Sequence, residues 1–539
     1  MTDDSSPVLR ALLTDPATRC GEASRAISVG WRKALLGLLL SIATGVMLVI
    51  SWPSLGNVWW LVFFAFVPML LAQYRFMPRR LIGLPVGVAF GGYWVGGFEM
   101  ASAHVGIWPV IGATIVIGLL GWLIGAFDKR FAERTRYRWF IVQFPLVWVG
   151  IDVLLDGNLF SGSMSWIAYR LWTLPSLVQP ISVVGTPALS FLLVMINGWI
   201  ALLIITLIDG RRPDVCPQAI PRRVLYGSSI VVGVVLVVWI ASSLVIFSSV
   251  HRDQGPRVTV AAVQPGSDYA PPLVRGWGSY ARMPPADNEV RRDALESQLT
   301  SMTEHAAAMG AEFVVWPEEA LDYDPRTTRT SWLPNLARST HTYIVAGFVP
   351  HPELLGEGAN MAGIWAPDGS LLGVFYKIHP VPAMGEWFQT PQIYQTYHTG
   401  IGPISMMICF DFDFPLATRL VTLTGAELVG IPSAGPARSA RFRVSSLVFR
   451  AIENRTGYVK GDLAWESVIV GPDGVVRKRT AATDQLGEPA LLVAEVNRGP
   501  RNSPYTSVGD IAGPLMLFFL GYRISWQVVY WRRTRDMRM

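Results

Sequence analysis

Long apolar runs fill the first half of the chain, and each is long enough to cross a bilayer as a helix. A spanning helix needs about 20 mainly apolar residues. Runs of this kind lie at about 34–51, 57–74, 81–99, 107–127, 139–155, 186–208 and 224–247, and a weaker one lies at 509–531. The pattern predicts a seven-helix transmembrane bundle over 34–250 and an eighth transmembrane helix within 507–531.

Two details refine this membrane prediction. Residues 1–33 are polar, and the apolar run that follows them has no small-residue cleavage site, so we expect an anchor rather than a signal peptide. The eighth run contains Arg523, whose charge is costly at the bilayer centre. We expect its side chain to snorkel toward the nearer interface.

The hydrophobic pattern changes at about residue 256, where short β runs begin to alternate with amphipathic segments. This alternation is typical of a layered α/β domain. The predicted strands are 258–264, 313–316, 343–348, 361–366, 371–376, 404–409, 428–431 and 490–496, and the predicted helices are 288–310, 414–425 and 443–455. A segment covering 256–500 is long enough to bury a core of its own.

Composition agrees with a membrane protein and excludes several other classes. The chain is 51% hydrophobic and only 16% charged, which is too apolar for an ordinary soluble protein. Its net charge of +6 comes from short clusters beside the apolar runs rather than from one basic face, so nucleic acid is not an expected partner. Cys20, Cys216 and Cys409 have no paired spacing, which argues against a disulfide framework or a CxxC metal site.

The basic clusters also predict an orientation. When eight spans alternate, they all fall on one side, which the positive-inside rule assigns to the cytoplasm. The clusters are Arg32-Lys33, Arg75 to Arg80, Asp128 to Arg138, Arg211 to Arg223 and Arg532 to Arg538. The N-terminal segment 1–33 and the tail 532–539 are therefore predicted to be cytoplasmic, and the 256–500 domain to face outward.

Three reactive side chains each follow a predicted strand: Glu318 after Trp316-Pro317, Lys377 after Tyr376, and Cys409 before Phe410-Asp411. Singly, each has an ordinary interpretation, namely a turn cap, a solvated charge and a core-filling thiol. Together they suit one reaction, in which the carboxylate takes the thiol proton, the thiolate attacks a carbonyl and the ammonium stabilises the oxyanion. The chain has no HExxH, P-loop or GxSxG motif, so zinc hydrolysis, nucleotide-driven transport and serine esterase chemistry lack support.

The three motifs resemble those of the nitrilase, or carbon–nitrogen hydrolase, superfamily over about 256–498. With the apolar runs on either side, the whole chain is similar to the bacterial apolipoprotein N-acyltransferase family. This resemblance implies an α+β membrane protein in which a transmembrane helix bundle carries an αββα sandwich. It also implies Glu318 as general base, Lys377 as oxyanion stabiliser, Cys409 as nucleophile and Glu386 as a second glutamate of the site.

The resemblance further implies a reaction at the bacterial inner membrane. The acyl chain of a phospholipid passes to the cysteine as a thioester and then to the amine of a diacylglyceryl-cysteine lipoprotein, without a metal or diffusible cofactor. We expect substrate contacts from the neighbours of these motifs, Trp316, Trp387, Phe388, Phe410 and Asp411. Loop 266–287 and the cluster Met384, Trp387 and Phe388 are candidate lids.

Two departures from the family pattern leave other functions open. Asp411 stands where the acyltransferases usually have Glu, and Pro432-Ser433-Ala434-Gly435-Pro436 replaces their Asn and Trp-Phe pair. One alternative is a membrane-bound amidase, or an N-acyltransferase for a different amine. A second is a catalytically inactive scaffold that binds lipoproteins.

Overall fold

The structure is a computed structural model of the 539-residue chain. It describes residues 31–105, 107–157, 162–164, 166–211, 220–252, 255–266, 285–349, 360–381, 386, 390–435, 437–480, 487–499 and 502–536. Most of the N-terminal segment 1–33, the end of the tail 532–539, most of the candidate lid 266–287 and the whole Met384, Trp387 and Phe388 cluster lie outside the described residues.

Helices occupy all of the apolar runs in the first half of the chain. Six are long: α1 (Trp31–Ile50), α2 (Leu84–Val105), α3 (Ile107–Arg134), α4 (Phe140–Leu155), α5 (Thr186–Arg211) and α6 (Arg222–His251). The run near 57–74 is not one α-helix, because it divides into a 3-10 segment Trp59–Phe63, an α segment Val67–Leu71 and a π segment Ala72–Phe76.

Length and composition identify membrane-spanning candidates among the described helices. Five stretches are long and apolar enough to cross a bilayer: Arg32–Ile50, Trp59–Phe76, Ile107–Arg134, Thr186–Arg211 and Arg222–His251. α4 is apolar but shorter. A multi-span bundle is therefore confirmed, while the total of eight spans and the domain boundaries stay predictions.

Glycines allow the helices of the bundle to pack closely around α2. A Cβ atom at Gly92 would lie 2.8 Å from the Cα atom of Gly45 on α1. On another face of α2, a Cβ atom at Gly87 would lie 2.5 Å from the carbonyl oxygen of Gly118 on α3. Small residues of this kind let helix backbones approach one another in a membrane.

The second half of the chain forms two stacked six-stranded sheets. The first has the order β12-β1-β2-β3-β4-β5, and the second has the order β11-β10-β9-β8-β7-β6. The strands are β1 (Arg257–Gln264), β2 (Phe313–Val315), β3 (Tyr343–Phe348), β4 (Met361–Trp365), β5 (Leu371–Tyr376), β6 (Tyr397–Thr399), β7 (Gly402–Met406), β8 (Leu428–Ser433), β9 (Gly457–Asp462), β10 (Val468–Val470), β11 (Val476–Arg479) and β12 (Ala490–Asn497). Each sheet has three parallel strands at its centre and antiparallel strands at its edges.

Helices cover the outer faces of both sheets and complete an αββα sandwich. α7 (Pro285–Ala308) and α8 (Trp332–Thr340) pack on the first sheet, whereas α9 (Pro415–Leu423) and α10 (Ala437–Asn454) pack on the second. Side chains alternate along β1, so that Val260 and Ala262 face the second sheet while Ala261 and Val263 face the helices. The predicted fold class is confirmed.

Helix α10 also fixes the sandwich to the membrane bundle. Its apolar residues share one buried cluster with bundle residues such as Trp52 and Tyr169. Polar contacts cross the same boundary: the Thr186 hydroxyl donates to Glu453 at 2.6 Å, and the Phe442 amide donates to the Ser54 hydroxyl at 3.1 Å. Helix α10 therefore contacts both the second sheet of the sandwich and the bundle.

Two predicted boundaries in this region were wrong. The strand predicted over 404–409 ends at Met406, and Cys409 begins a 3-10 turn, Cys409–Asp413. The turn forms because the Asp411 carboxylate accepts a hydrogen bond from the Ile408 amide at 3.2 Å, which a continuing strand would not allow. The helix predicted to begin at 443 begins at Ala437, since no helix-breaking residue separates Ala437 from Arg443.

After the sandwich the chain forms α11 (Pro504–Val508) and α12 (Ala512–Asp536), and α12 returns to the bundle. The expectation that Arg523 reaches toward the nearer interface stays a prediction, and the structure shows its partners. Its side chain is buried and donates to Asp128 of α3 at 2.7 Å and to the carbonyl oxygen of Gln143 on α4 at 2.7 Å. The charge is tolerated because a buried carboxylate faces it.

Removing one partner of this ion pair should destabilise the protein more than removing both. Asp128→Ala or Arg523→Ala leaves an uncompensated buried charge, which costs about 3–5 kcal/mol in comparable sites. We expect a lower melting temperature in detergent for each single variant and partial recovery in the double variant. Additive losses in the double variant would show that the two side chains do not interact.

Candidate active site

Glu318 lies in a tight turn at the end of β2. The neighbouring strand β3 passes so close that a Cβ atom at Gly347 would lie 2.7 Å from the Glu318 Cα atom. Glycine is therefore needed at this position of β3. The Glu318 carboxylate is buried, and its Oε2 atom accepts a hydrogen bond from the Ala434 amide at 2.9 Å.

Lys377 lies at the end of β5, where its amide donates to the carbonyl oxygen of Asn360 at 2.8 Å. Its Nζ atom donates to Glu318 Oε1 at 2.8 Å and to both carboxylate oxygens of Glu386 at 2.8 Å. The Asn360 side-chain amide bridges the same two carboxylates, at 2.8 Å from Glu318 and 3.1 Å from Glu386. One ammonium and one amide thus hold two buried carboxylates together.

Cys409 lies in the turn after β7, and its φ angle of 45° is in the left-handed region. Non-glycine residues seldom adopt this conformation, and functional sites are where it concentrates. Asp411 holds the turn in place, because it accepts hydrogen bonds from the amides of Ile378 at 3.2 Å and His379 at 2.8 Å. Those amides directly follow Lys377, so Asp411 ties the thiol turn to the lysine.

The sulfur of Cys409 meets two polar groups besides Glu318. The Ser433 hydroxyl lies 3.6 Å from it, and the Arg443 Nη1 atom lies 3.1 Å from it. Burial raises the pKa of the Cys409 thiol to about 11, with a further rise from Glu318 and opposing effects from Arg443 and Lys377. At neutral pH the resting group is therefore a thiol, and attack on a carbonyl requires a proton acceptor beside it.

Burial and neighbouring charges together shift the pKa values of the residues around the sulfur. Burial alone would lower the pKa of Lys377, but Glu318 and Glu386 raise it well above its usual value, so the ammonium persists. Burial together with Glu318 and Glu386 raises the pKa of Glu319 well above its usual value. Carboxylate oxygens of Glu318, Glu319 and Glu386 lie within 4.8 Å of one another, a spacing that could hold a cation. Here the Lys377 ammonium already contacts two of them.

The structure therefore brings together Glu318, Lys377, Glu386 and Cys409, but not all of the expected substrate contacts. Trp316 is fully buried and donates its indole N–H to Thr303 at 3.0 Å on the helix side of the first sheet. Asp411 is buried and uses its oxygens to hold backbone amides. Both side chains are thus engaged within the protein, and their contact with substrate stays a prediction.

Of the remaining residues that are expected to contact substrate, the structure describes Phe410. Phe410 is buried, and its ring packs edge-on against Phe414 with centroids 5.0 Å apart. Trp387 and Phe388 lie outside the described residues.

Sequence reasoning missed Asn360, Ser433 and Arg443. A signal for Arg443 does exist, because Arg443, Ser446 and Arg450 recur at helical spacing among apolar residues. Polar residues on one face of a buried helix point to a polar site. Asn360 has no comparable signal, since a single asparagine before a strand is typical of any loop.

Two family models match the chain in sequence order. Residues 44–199 match the apolipoprotein N-acyltransferase N-terminal domain, and residues 259–500 match carbon-nitrogen hydrolase. The first match covers most of the helix bundle and the second covers the sandwich.

Curated relatives agree with both matches. An apolipoprotein N-acyltransferase of Geobacter metallireducens is 27% identical, over 90% of this chain and 95% of the relative. Another from Mycolicibacterium smegmatis is 24% identical, over 62% of this chain and 59% of the relative. A nitrilase of Pyrococcus abyssi is 26% identical, over 43% of this chain and 94% of that protein. The chain is therefore similar over 90% of its length to an apolipoprotein N-acyltransferase, and it carries a match to the N-terminal domain of those proteins followed by a match to carbon-nitrogen hydrolase.

Proposed function

We propose that the chain moves an acyl chain from a membrane phospholipid through a Cys409 thioester to the N-terminal amine of a diacylglyceryl-cysteine lipoprotein. The observation that carries the proposal is a buried thiol close enough to the buried Glu318–Lys377 ion pair for both to act on its pKa, in a sandwich fixed to an apolar helix bundle. The family relationship supports the same activity.

In the first half-reaction, Glu318 takes the proton of the Cys409 thiol, and the sulfur attacks the ester carbonyl of the phospholipid. A carbon–sulfur bond forms and the carbonyl π electrons move to oxygen, beside the positive charge of Lys377. The intermediate then collapses, the carbon–oxygen bond breaks, and the lysophospholipid leaves with the proton from Glu318. The resting state is suited to this step, because the neutral thiol needs the adjacent base.

In the second half-reaction, the lipoprotein amine attacks the thioester carbonyl. A carbon–nitrogen bond forms, the carbon–sulfur bond breaks, and Glu318 accepts the amine proton and returns it to the sulfur. Glu386 keeps Lys377 and Glu318 aligned in both steps, since its carboxylate contacts the ammonium with both oxygens. No step in this sequence requires a metal or a diffusible cofactor.

A phospholipid donor explains why the sandwich contacts a membrane bundle. Exposed apolar side chains cover α1, α3 and α6, as expected of faces that meet lipid. A soluble amide substrate would not require this arrangement. We infer that the site opens toward the outer leaflet of the bacterial inner membrane, in agreement with the charge distribution of the sequence.

Incubation with a phospholipid carrying a labelled acyl chain, without acceptor, should leave a hydroxylamine-sensitive adduct on Cys409. Cys409→Ala should abolish the adduct. Glu318→Gln should slow its formation by about 10²- to 10⁴-fold, the usual contribution of a general base. Mass spectrometry of the intact protein measures both results. A wild-type protein that folds and binds phospholipid but forms no adduct would contradict the mechanism.

The acceptor is tested in cells, because loop 432–436 departs from the family pattern. Deletion of the gene should leave lipoproteins with a free N-terminal amine on the diacylglyceryl cysteine, as read by mass spectrometry of their N-terminal peptides. Complementation with Cys409→Ala should not restore acylation. Unchanged N-terminal acylation in the deletion strain would instead favour an amidase or another amine acceptor, and full complementation by Cys409→Ala would favour a scaffold.

The outward orientation predicts which side of the membrane a label reaches. Glu495 on β12 has a side chain that is 62% exposed, so Glu495→Cys in a Cys20→Ser, Cys216→Ser background provides an accessible thiol. A membrane-impermeant maleimide should label it in intact spheroplasts. Cys409→Ala is added to this background so that the site thiol cannot react, and the same background without Glu495→Cys is the control. Labelling only after permeabilisation would place the sandwich in the cytoplasm.

A further inference from the structure

A second buried cation, Arg443 on α10, contacts the reacting sulfur directly. Its Nη1 atom donates to the Cys409 sulfur at 3.1 Å, and the residue is 4% exposed. Among the described residues, its Nη2 atom is buried and has no hydrogen-bond partner. A buried donor without a partner is costly, so a functional ligand for it is a reasonable expectation.

The protein holds this guanidinium in place from three sides. Asp413 lies 3.2 Å from Arg443 Nε and is itself held by the Ser446 hydroxyl at 2.9 Å. The ring of Phe412 lies beneath the guanidinium, with its centroid 4.9 Å from Cζ. Gly435 leaves the space that the group occupies, because a Cβ atom there would lie 2.8 Å from Arg443 Nη1. Gly435 and the arginine therefore fit one another.

The lysine of the site, by contrast, has its donors already engaged. An ammonium has three N–H groups, and the Lys377 Nζ atom lies 2.8 Å from each of three carboxylate oxygens, on Glu318 and Glu386. It can supply positive charge to the reaction, but donating a hydrogen bond to a new oxygen would require it to release a carboxylate. Arg443 has a donor that needs no such exchange.

We propose that Arg443 is a catalytic residue of this site, which stabilises the Cys409 thiolate through Nη1 and donates through Nη2 to the acyl oxygen as it becomes negative. The inference rests on the proposed acyl transfer. When the carbon–sulfur bond forms, the negative charge moves from sulfur to the former carbonyl oxygen. The guanidinium can stabilise the charge at both positions, because Nη1 faces the sulfur and Nη2 is available to the oxygen. When the intermediate collapses, the charge leaves with the departing oxygen, which takes the proton from Glu318.

Alkylation of Cys409 by iodoacetamide tests the thiolate contact without any lipid. In a Cys20→Ser, Cys216→Ser background, the rate is followed by intact mass spectrometry from neutral to alkaline pH. Arg443→Gln should slow alkylation at neutral pH by about tenfold for each unit by which the thiol pKa rises, and should move the midpoint to higher pH. Arg441→Gln is the matched control, because it removes the same charge two residues away on the same helix.

Formation of the phospholipid adduct tests the second part. Arg443→Lys keeps a positive charge but lacks the planar fork, so it should alkylate close to the wild-type rate and form the lipid adduct about tenfold or more slowly. The Arg443→Lys variant also tests the proposal if Arg443→Gln fails to fold. An unchanged alkylation profile in folded Arg443→Gln, or normal adduct formation in Arg443→Lys, would overturn the proposal. A wild type that alkylates in an Arg443-dependent way but forms no lipid adduct would instead contradict the acyl-transfer function.

Discussion

The site depends on one buried ammonium placed between two buried carboxylates. Lys377 is 1% exposed and contacts both Glu318 and Glu386, which come from different loops. Without its charge, two carboxylates would remain close together in a medium of low polarity, which is strongly unfavourable. The ammonium therefore stabilises the buried Glu318 carboxylate beside the Cys409 sulfur. Electrostatic interactions at this position are strong because water is excluded.

The sulfur itself is positioned by a different device. The left-handed conformation of Cys409 turns the chain sharply after β7, and Asp411 fastens that turn to the strand end that carries Lys377. Helix α10 then closes the site: Arg443 contacts the sulfur, while Phe442 and Glu453 contact the membrane bundle. The contact between sandwich and bundle is thus continuous with the proposed catalytic residues, as a lipid-derived substrate would require.

The sequence was sufficient for the overall architecture and for the grouping of Glu318, Lys377 and Cys409 at neighbouring strand ends. Apolar runs of membrane-spanning length and alternating β patterns are local signals, so the bundle and the sandwich could be predicted. The broken helix at Trp59–Phe76 and the burial of Arg523 depend on contacts between distant segments, which no local pattern encodes. The helical spacing of Arg443, Ser446 and Arg450 indicates a polar face, but only the folded chain shows that this face lies beside Cys409.

We propose that Glu318, Lys377 and Cys409, with Arg443 beside them, act on one acyl group. The decisive experiment is an experimental structure of the protein trapped as its Cys409 acyl thioester, prepared with phospholipid and no acceptor. We expect a thioester oxygen facing Lys377 and within hydrogen-bond distance of Arg443, with the acyl chain directed toward the bundle. An acyl group on another residue, or a thioester oxygen pointing away from both cations, would contradict it.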